Sequence, residues 1–235
     1  MVKKYSGPAR RFFGPFAAFL FCAFSLFAQT APDPPAVPRS QDAGWNYRTG
    51  RDLEARGRAG EAAPFYAEAV RICRDEIARN AATADSYATL TWTLRRQQKY
   101  AEVITWGERG LQLFGNDYRI IEIMGEAYFY LDNYGQSLQF MQRYVNALPQ
   151  GERASVAYFF IAEMYRLTGK FRLADIAYTT AVRLEPNIAL WWYRLGSVRE
   201  AVGDRVPAIE AYEQAIKLNP QYQEAAAALA RLGSP

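Results

Sequence analysis

Glu122 and Glu126 stand four residues apart, so on a helix their carboxylates share one face, one turn from each other. Two carboxylates placed in this way could divide acid and base roles. The rest of the chain does not support such chemistry. There is no histidine among its 235 residues, which removes the commonest general base and the commonest metal ligand. Its two cysteines, Cys22 and Cys73, are too few for a thiolate metal cluster. Cys73 falls on a helical apolar stripe with Tyr66, Ala69, Val70 and Ile77, the setting of a core thiol. Neither a phosphate-cradling glycine loop nor a Gly-x-Ser-x-Gly elbow occurs. The paired glutamates therefore read as part of a solvated or partner-facing stripe. The chain reads as a non-enzyme without cofactor or metal.

The first stretch has to be set aside before those residues can be placed on a scaffold. Lys3, Lys4, Arg10 and Arg11 form a basic head, and an apolar run from Phe12 to Phe27 follows. That run has the length of a signal-peptide core and is short for a membrane span. The expectation is a signal peptide over residues 1–28, cut after Ala28, with export to the periplasm or an equivalent envelope space. Two alternatives stay open: an uncleaved N-terminal anchor, and a lipid on Cys22, which bulky Phe21 opposes. Residues 29–42, with Pro32, Pro34, Pro35 and Pro38, read as a semi-extended linker. The whole chain carries 28 Lys and Arg against 24 Asp and Glu. Four of those basic residues and no acidic one lie in the leader, so the remainder is neutral. The basicity gives no argument for a nucleic-acid partner. Cys73 alone remains after cleavage, so no intrachain disulfide can form.

From Ala43 to Leu232 no strand-like alternation persists, and half of the residues are apolar, ample for a core. Pairs of helical segments recur with a period of 34 residues. Trp192, Leu195, Gly196, Gly203, Ala208, Tyr212, Ala215 and Pro220 mark one unit, 189–222. Tyr158, Ile161, Ala162, Gly169, Ala174, Tyr178, Ala181 and Pro186 repeat the pattern in 155–188. Three weaker copies lie at 43–76, 84–117 and 118–151. Seven residues, 77–83, and three residues, 152–154, interrupt the register. Small residues at positions 8, 20 and 27 let two helices approach, while aromatics fill the gaps between units. Pro64 places the start of the first unit's second helix near Gly60, and Gly203-Asp204 supplies a turn and an N-cap. Residues 223–233 make a closing helix with Tyr222, Ala225, Leu229 and Leu232 on its apolar side.

This pattern resembles the tetratricopeptide-repeat family. The resemblance implies an all-α fold, a right-handed α-solenoid of five helix pairs plus a C-terminal capping helix. It also implies that the first helix of each unit lines a concave groove. Carried onto this sequence, the groove holds Tyr47, Arg48 and Arg51 from the first unit and Trp92, Arg95 and Arg96 from the second. The third unit contributes Glu122, Glu126, Phe129 and Tyr130, the fourth Phe160 and Glu163, and the fifth Arg194. Arginine at one end and glutamate further on give a bipolar groove with aromatic anchors, suited to an extended peptide or an amphipathic helix of a protein partner. Members that grip chaperone C-terminal carboxylates carry lysine and asparagine where this chain has Tyr47 and Arg51, so that ligand is not expected. The alternative is a glycan or small-ligand module with Trp92, Phe129 and Tyr130 as stacking platforms. Self-association by end-to-end stacking is a third reading.

Overall fold

Residues 41–233, which the computed structural model describes, form eleven helices and no strand. The signal-peptide expectation for 1–28 and nearly all of the linker, 29–42, lie outside the described residues. Ten helices make five pairs: α1 (Ala43–Ala55) with α2 (Ala59–Ala78), α3 (Ala84–Arg96) with α4 (Tyr100–Phe114), and α5 (Tyr118–Tyr130) with α6 (Tyr134–Ala147). Then come α7 (Ala154–Leu167) with α8 (Phe171–Leu184), α9 (Ala189–Ala201) with α10 (Arg205–Leu218), and the closing helix α11 (Gln223–Gly233). Among the described residues no helix is long and apolar enough to cross a membrane.

One backbone device ends the first helix of every pair. In the first, the N–H of Gly57 bonds the Glu54 carbonyl and the N–H of Arg58 reaches back to the Leu53 carbonyl. The same two bonds recur around Gln98, Asp132, Gly169 and Gly203, and all five residues have φ between +57° and +84°. This is the left-handed helix stop that glycine favours. Asp132 and Gln98 adopt it against their own preference. Elsewhere the caps depart from expectation: Asp204 precedes α10 but makes no capping bond, and its carboxylate pairs with Arg172 of α8.

The small residues sit where the helices of a pair come closest. A Cβ on Gly50 would meet the Tyr66 ring at 2.7 Å, and one on Gly196 would meet the Tyr212 ring at 2.7 Å. In these two pairs the tyrosine of the second helix thus covers a hole in the first, and in the third pair Met141 covers Gly125 in the same way. Apolar burial then runs along the stack in contiguous groups. One joins α1 to α5 through Cys73, Tyr87, Leu90 and Met124, another joins α5 to α10, and a third seats α11 on α10 through Ala215 and Ala225.

α2 begins at Ala59, carries Pro64 inside it, and is 20 residues long where its counterparts have 14 or 15. Its surplus turn reaches Ala78, just into the seven-residue interruption. Helix α1 touches α3, α3 touches α5 and α5 touches α7, with no comparable contact joining α2 to α4 or α4 to α6. The odd-numbered helices are therefore the inner row, and their outward surface is the concave one.

Candidate partner-binding site

The carboxylates assigned to the groove turn out to be structural. Glu122 and Glu126, on α5, are 1% and 0% exposed. Arg95 of α3 donates through Nε to Glu126 at 2.6 Å. Arg153, in the three-residue insertion just before α7, donates through Nη2 to Glu126 at 2.5 Å and to Glu122 at 3.1 Å. Burial, reinforced by the neighbouring Glu126, pushes the Glu122 carboxyl up to about 8. Burial beside a second carboxylate thus favours the protonated form of Glu122. The same pattern holds Glu163, which is buried: Tyr178 donates its hydroxyl to it, Arg166 lies 2.7 Å away, and Arg194 of the next repeat reaches it at 3.3 Å. Glu54 accepts from Tyr66 and Glu200 from Tyr212, each at 2.7 Å.

These contacts correct the bipolar groove. Glu122, Glu126 and Glu163 do not present a negative half to a ligand, because arginines of adjoining repeats and tyrosines of the same pair have already taken them up. Position within a repeat tells which face a side chain occupies, and the inner-row helices lie close enough for an arginine of one to reach a glutamate of the next. Arg194 lies 3.3 Å from Glu163 as an ion pair, without completing a hydrogen bond through Nε.

The aromatic assignments divide in two. Tyr47 and Trp92 lie with ring centroids 5.6 Å apart across the first two repeats. Phe160 is buried, packed against Phe129 at 5.0 Å and Tyr130 at 6.0 Å, so it is a correction: a core ring. Phe129 also touches Tyr134. Tyr130 stacks on Tyr100 at 4.7 Å with planes 16° apart, and the Arg95 guanidinium sits 5.9 Å from its ring. Phe129 is half-buried among other rings, whereas Tyr130, though stacked on Tyr100, remains exposed.

What the structure does bring together is a depression of about 330 Å³ on the inner row. Tyr47 and Arg51 of α1, Trp92, Arg95 and Arg96 of α3, and Glu122 of α5 line it, joined by Ile123, Glu152 and Arg153. Four guanidinium groups and two aromatic rings from three repeats thus surround one space. Guanidinium forks bind carboxylates with two parallel bonds, and ring faces bind apolar or cationic groups. Arg48 lines an adjoining depression of about 480 Å³ that shares Trp92 and includes Asp85, Glu76 and Arg119. There the charges are mixed, and Arg119 is paired to Asp85 at 2.6 Å.

Sequence reasoning missed Ile123, Glu152 and Arg153. Arg153 lies outside the 34-residue register, and the only signal for it was the insertion itself. Among the described residues there is no group of three or more metal-ligating side chains. Cys73 is buried, and loss of hydration together with the nearby Glu76 carboxylate pushes its thiol up to about 12, so it stays protonated and unreactive.

Comparison with known proteins agrees with this architecture. A family model described as tetratricopeptide repeat matches residues 155–188, and a second of the same description matches 189–222. The sequence finds no match among curated proteins. Solved structures share the fold. A MamA double mutant from RS-1 is 18% identical, aligning over 76% of this chain and 94% of its own with a TM-score of 0.60. YrrB, described as a TPR protein with an unusual peptide-binding site, is 19% identical over 80% and 92%, with a TM-score of 0.53. PilF of Pseudomonas aeruginosa is 15% identical over 83% and 84%, with a TM-score of 0.64. At such identities the likeness speaks for the fold and for nothing finer. Five helix pairs on one period, ended by one recurrent turn, build the tetratricopeptide-repeat fold, and the last two pairs are tetratricopeptide repeats by the family's own model.

Proposed function

We propose that the chain is a non-catalytic scaffold of the cell envelope that holds a segment of a partner protein along its concave surface. The observation that carries this reading is the depression lined by Tyr47, Trp92 and four arginines, built jointly by α1, α3, α5 and the insertion before α7. Repeat arrays use such composite inner surfaces to bind extended segments. The peptide-binding site named for YrrB supports the same use of the fold, although its low identity carries no residue across. The envelope location rests on the leader alone. N-terminal sequencing of the protein from the producing cells would establish it, a start at Gln29 removing both the anchor and the lipid.

The direct test is a crosslinked pull-down with the wild-type chain and with Trp92→Ala combined with Arg96→Glu. A protein captured by the first and lost with the second supports the reading. A capture pattern indifferent to the pair of changes overturns it. The glycan alternative is weakened at Phe129, which packs against Phe160, while Tyr130 stacks on Tyr100 and stays exposed at its edge.

A further inference from the structure

The depression on the inner row is sharper in its chemistry than the surface around it. Arg51, Arg95, Arg96 and Arg153 all contribute to its wall. The carboxylates that pair with them, Asp52, Glu54 and Glu126, do not line it. Of the two acidic residues that do, Glu122 is buried under Arg153, and Glu152 is exposed on the rim. The arginines also keep unused donors. Arg51, Arg95 and Arg153 engage their carboxylates through Nε and Nη2 and leave Nη1 without an acceptor among the described residues, while Arg96 makes only a 3.4 Å contact to Glu54 there. Their side chains remain 47%, 26%, 44% and 33% exposed in that order. A guanidinium fixed by one carboxylate and presenting its free edge to solvent is pre-set to bind a second one at little entropic cost. Trp92 and Tyr47 form the apolar side of the same space.

We infer that this depression is a subsite for an acidic segment of the partner protein, taking aspartate or glutamate side chains onto the arginine wall and an adjacent apolar residue onto Trp92. The inference rests on the concave-surface reading and narrows it to one chemistry of partner. It separates this depression from the adjoining one, where Asp85, Asp42 and Glu76 offset Arg48 and Arg119.

The test is an array of short random-sequence peptides, some bearing phosphoserine, probed with the full chain and with the Arg51→Gln/Arg96→Gln variant. The expected result is a severalfold enrichment of aspartate and glutamate among bound peptides. In the variant it falls toward none, and raising salt from about 50 mM to about 300 mM weakens binding several-fold as exposed charges are screened. Arg51→Gln alone, at an exposed side chain that pairs with neither buried carboxylate, loses part of the enrichment and guards against a folding defect in the double variant. Peptides bound in a Trp92-dependent way without acidic enrichment overturn this inference and leave the concave-surface reading standing. Enrichment of phosphoserine in place of glutamate also overturns it. Failure to bind any peptide overturns both.

Discussion

Arg153 and Glu126 meet at 2.5 Å although one precedes the fourth repeat and the other lies in the third. The guanidinium comes from the only three residues inserted between these repeats, and its target is a fully buried carboxylate. Arg95 approaches the same carboxylate from the second repeat. A single glutamate therefore ties three successive repeats together, and removing either arginine leaves it short of a cation in a medium of low dielectric constant.

Arg153→Ala should lower stability by about 3 kcal/mol, the loss typical when one partner of a buried pair is removed. Urea unfolding would read it. Combining Arg153→Ala with Glu126→Gln should give less than the sum of the two single losses, since the second change removes the charge that the first exposes. Strict additivity would show that the pair does not act as a unit.

The Glu122 carboxyl sets a pH dependence whose sign is fixed. Its folded-state value lies above that of an unfolded glutamate, so between the two the folded chain holds a proton that the unfolded chain has released. The contribution to stability is complete below the unfolded value and is lost as pH rises through about 8. Urea midpoints should fall from mildly acidic pH to pH about 9 in the wild type, and Glu122→Gln should flatten that slope. An unchanged slope in the variant would place the titration elsewhere.

Tyr178 and Tyr212 occupy the same position of successive repeats and donate to glutamates of unequal burial. Tyr178→Phe removes a donor from a buried carboxylate and should cost about 2 kcal/mol. Tyr212→Phe acts on Glu200, which is a quarter exposed and also held by Arg231, so water can replace the lost hydroxyl. Its loss should be about 1 kcal/mol or less. Equal losses in chemical unfolding would count against burial as the deciding factor.

Gln98 holds the left-handed turn with φ of 57°, a place that glycine fills in three of the five repeats. Gln98→Gly relieves that conformation but adds freedom to the unfolded chain, and a net gain of about 0.5 kcal/mol is expected. The mirror change, Gly203→Ala at φ of 84°, should destabilise by about 1 kcal/mol. Thermal unfolding of the two variants in parallel would check both signs.

The repeat itself was legible because it rests on local rules: small residues where helices cross, aromatics over them, and glycine or a tolerated substitute at the turn. Gly196 and Tyr212 announce their contact by spacing alone. The inner row was legible too, as a face. What spacing could not convey was the distance between neighbouring inner helices, and that distance decides whether Glu126 meets solvent or Arg95. Phe160 was misplaced for the same reason, being assigned to a surface it approaches but does not form. Arg153 escaped notice because periodic reasoning discards what falls between periods. Arg51, Trp92, Arg95 and Arg96 do line the inner-row depression, but position alone could not tell that Arg95 is held by Glu126 of the next repeat or that Arg96 reaches Glu54 of the first.

The long second helix has a consequence for how the array can be cut. At 20 residues it spans roughly 30 Å, about 10 Å more than a standard second helix. The extra length is shared property: Ile77 and Cys73 lie in the same apolar group as Tyr87 and Leu90, and Glu76 accepts from Ser86 across the boundary. A fragment begun at Thr83, where the sequence period would place the scissors, would leave Leu90 and Tyr87 facing water. The first two repeats are thus separate as inherited text but inseparable as an object, and any excision, fusion or transplant must carry them as one piece.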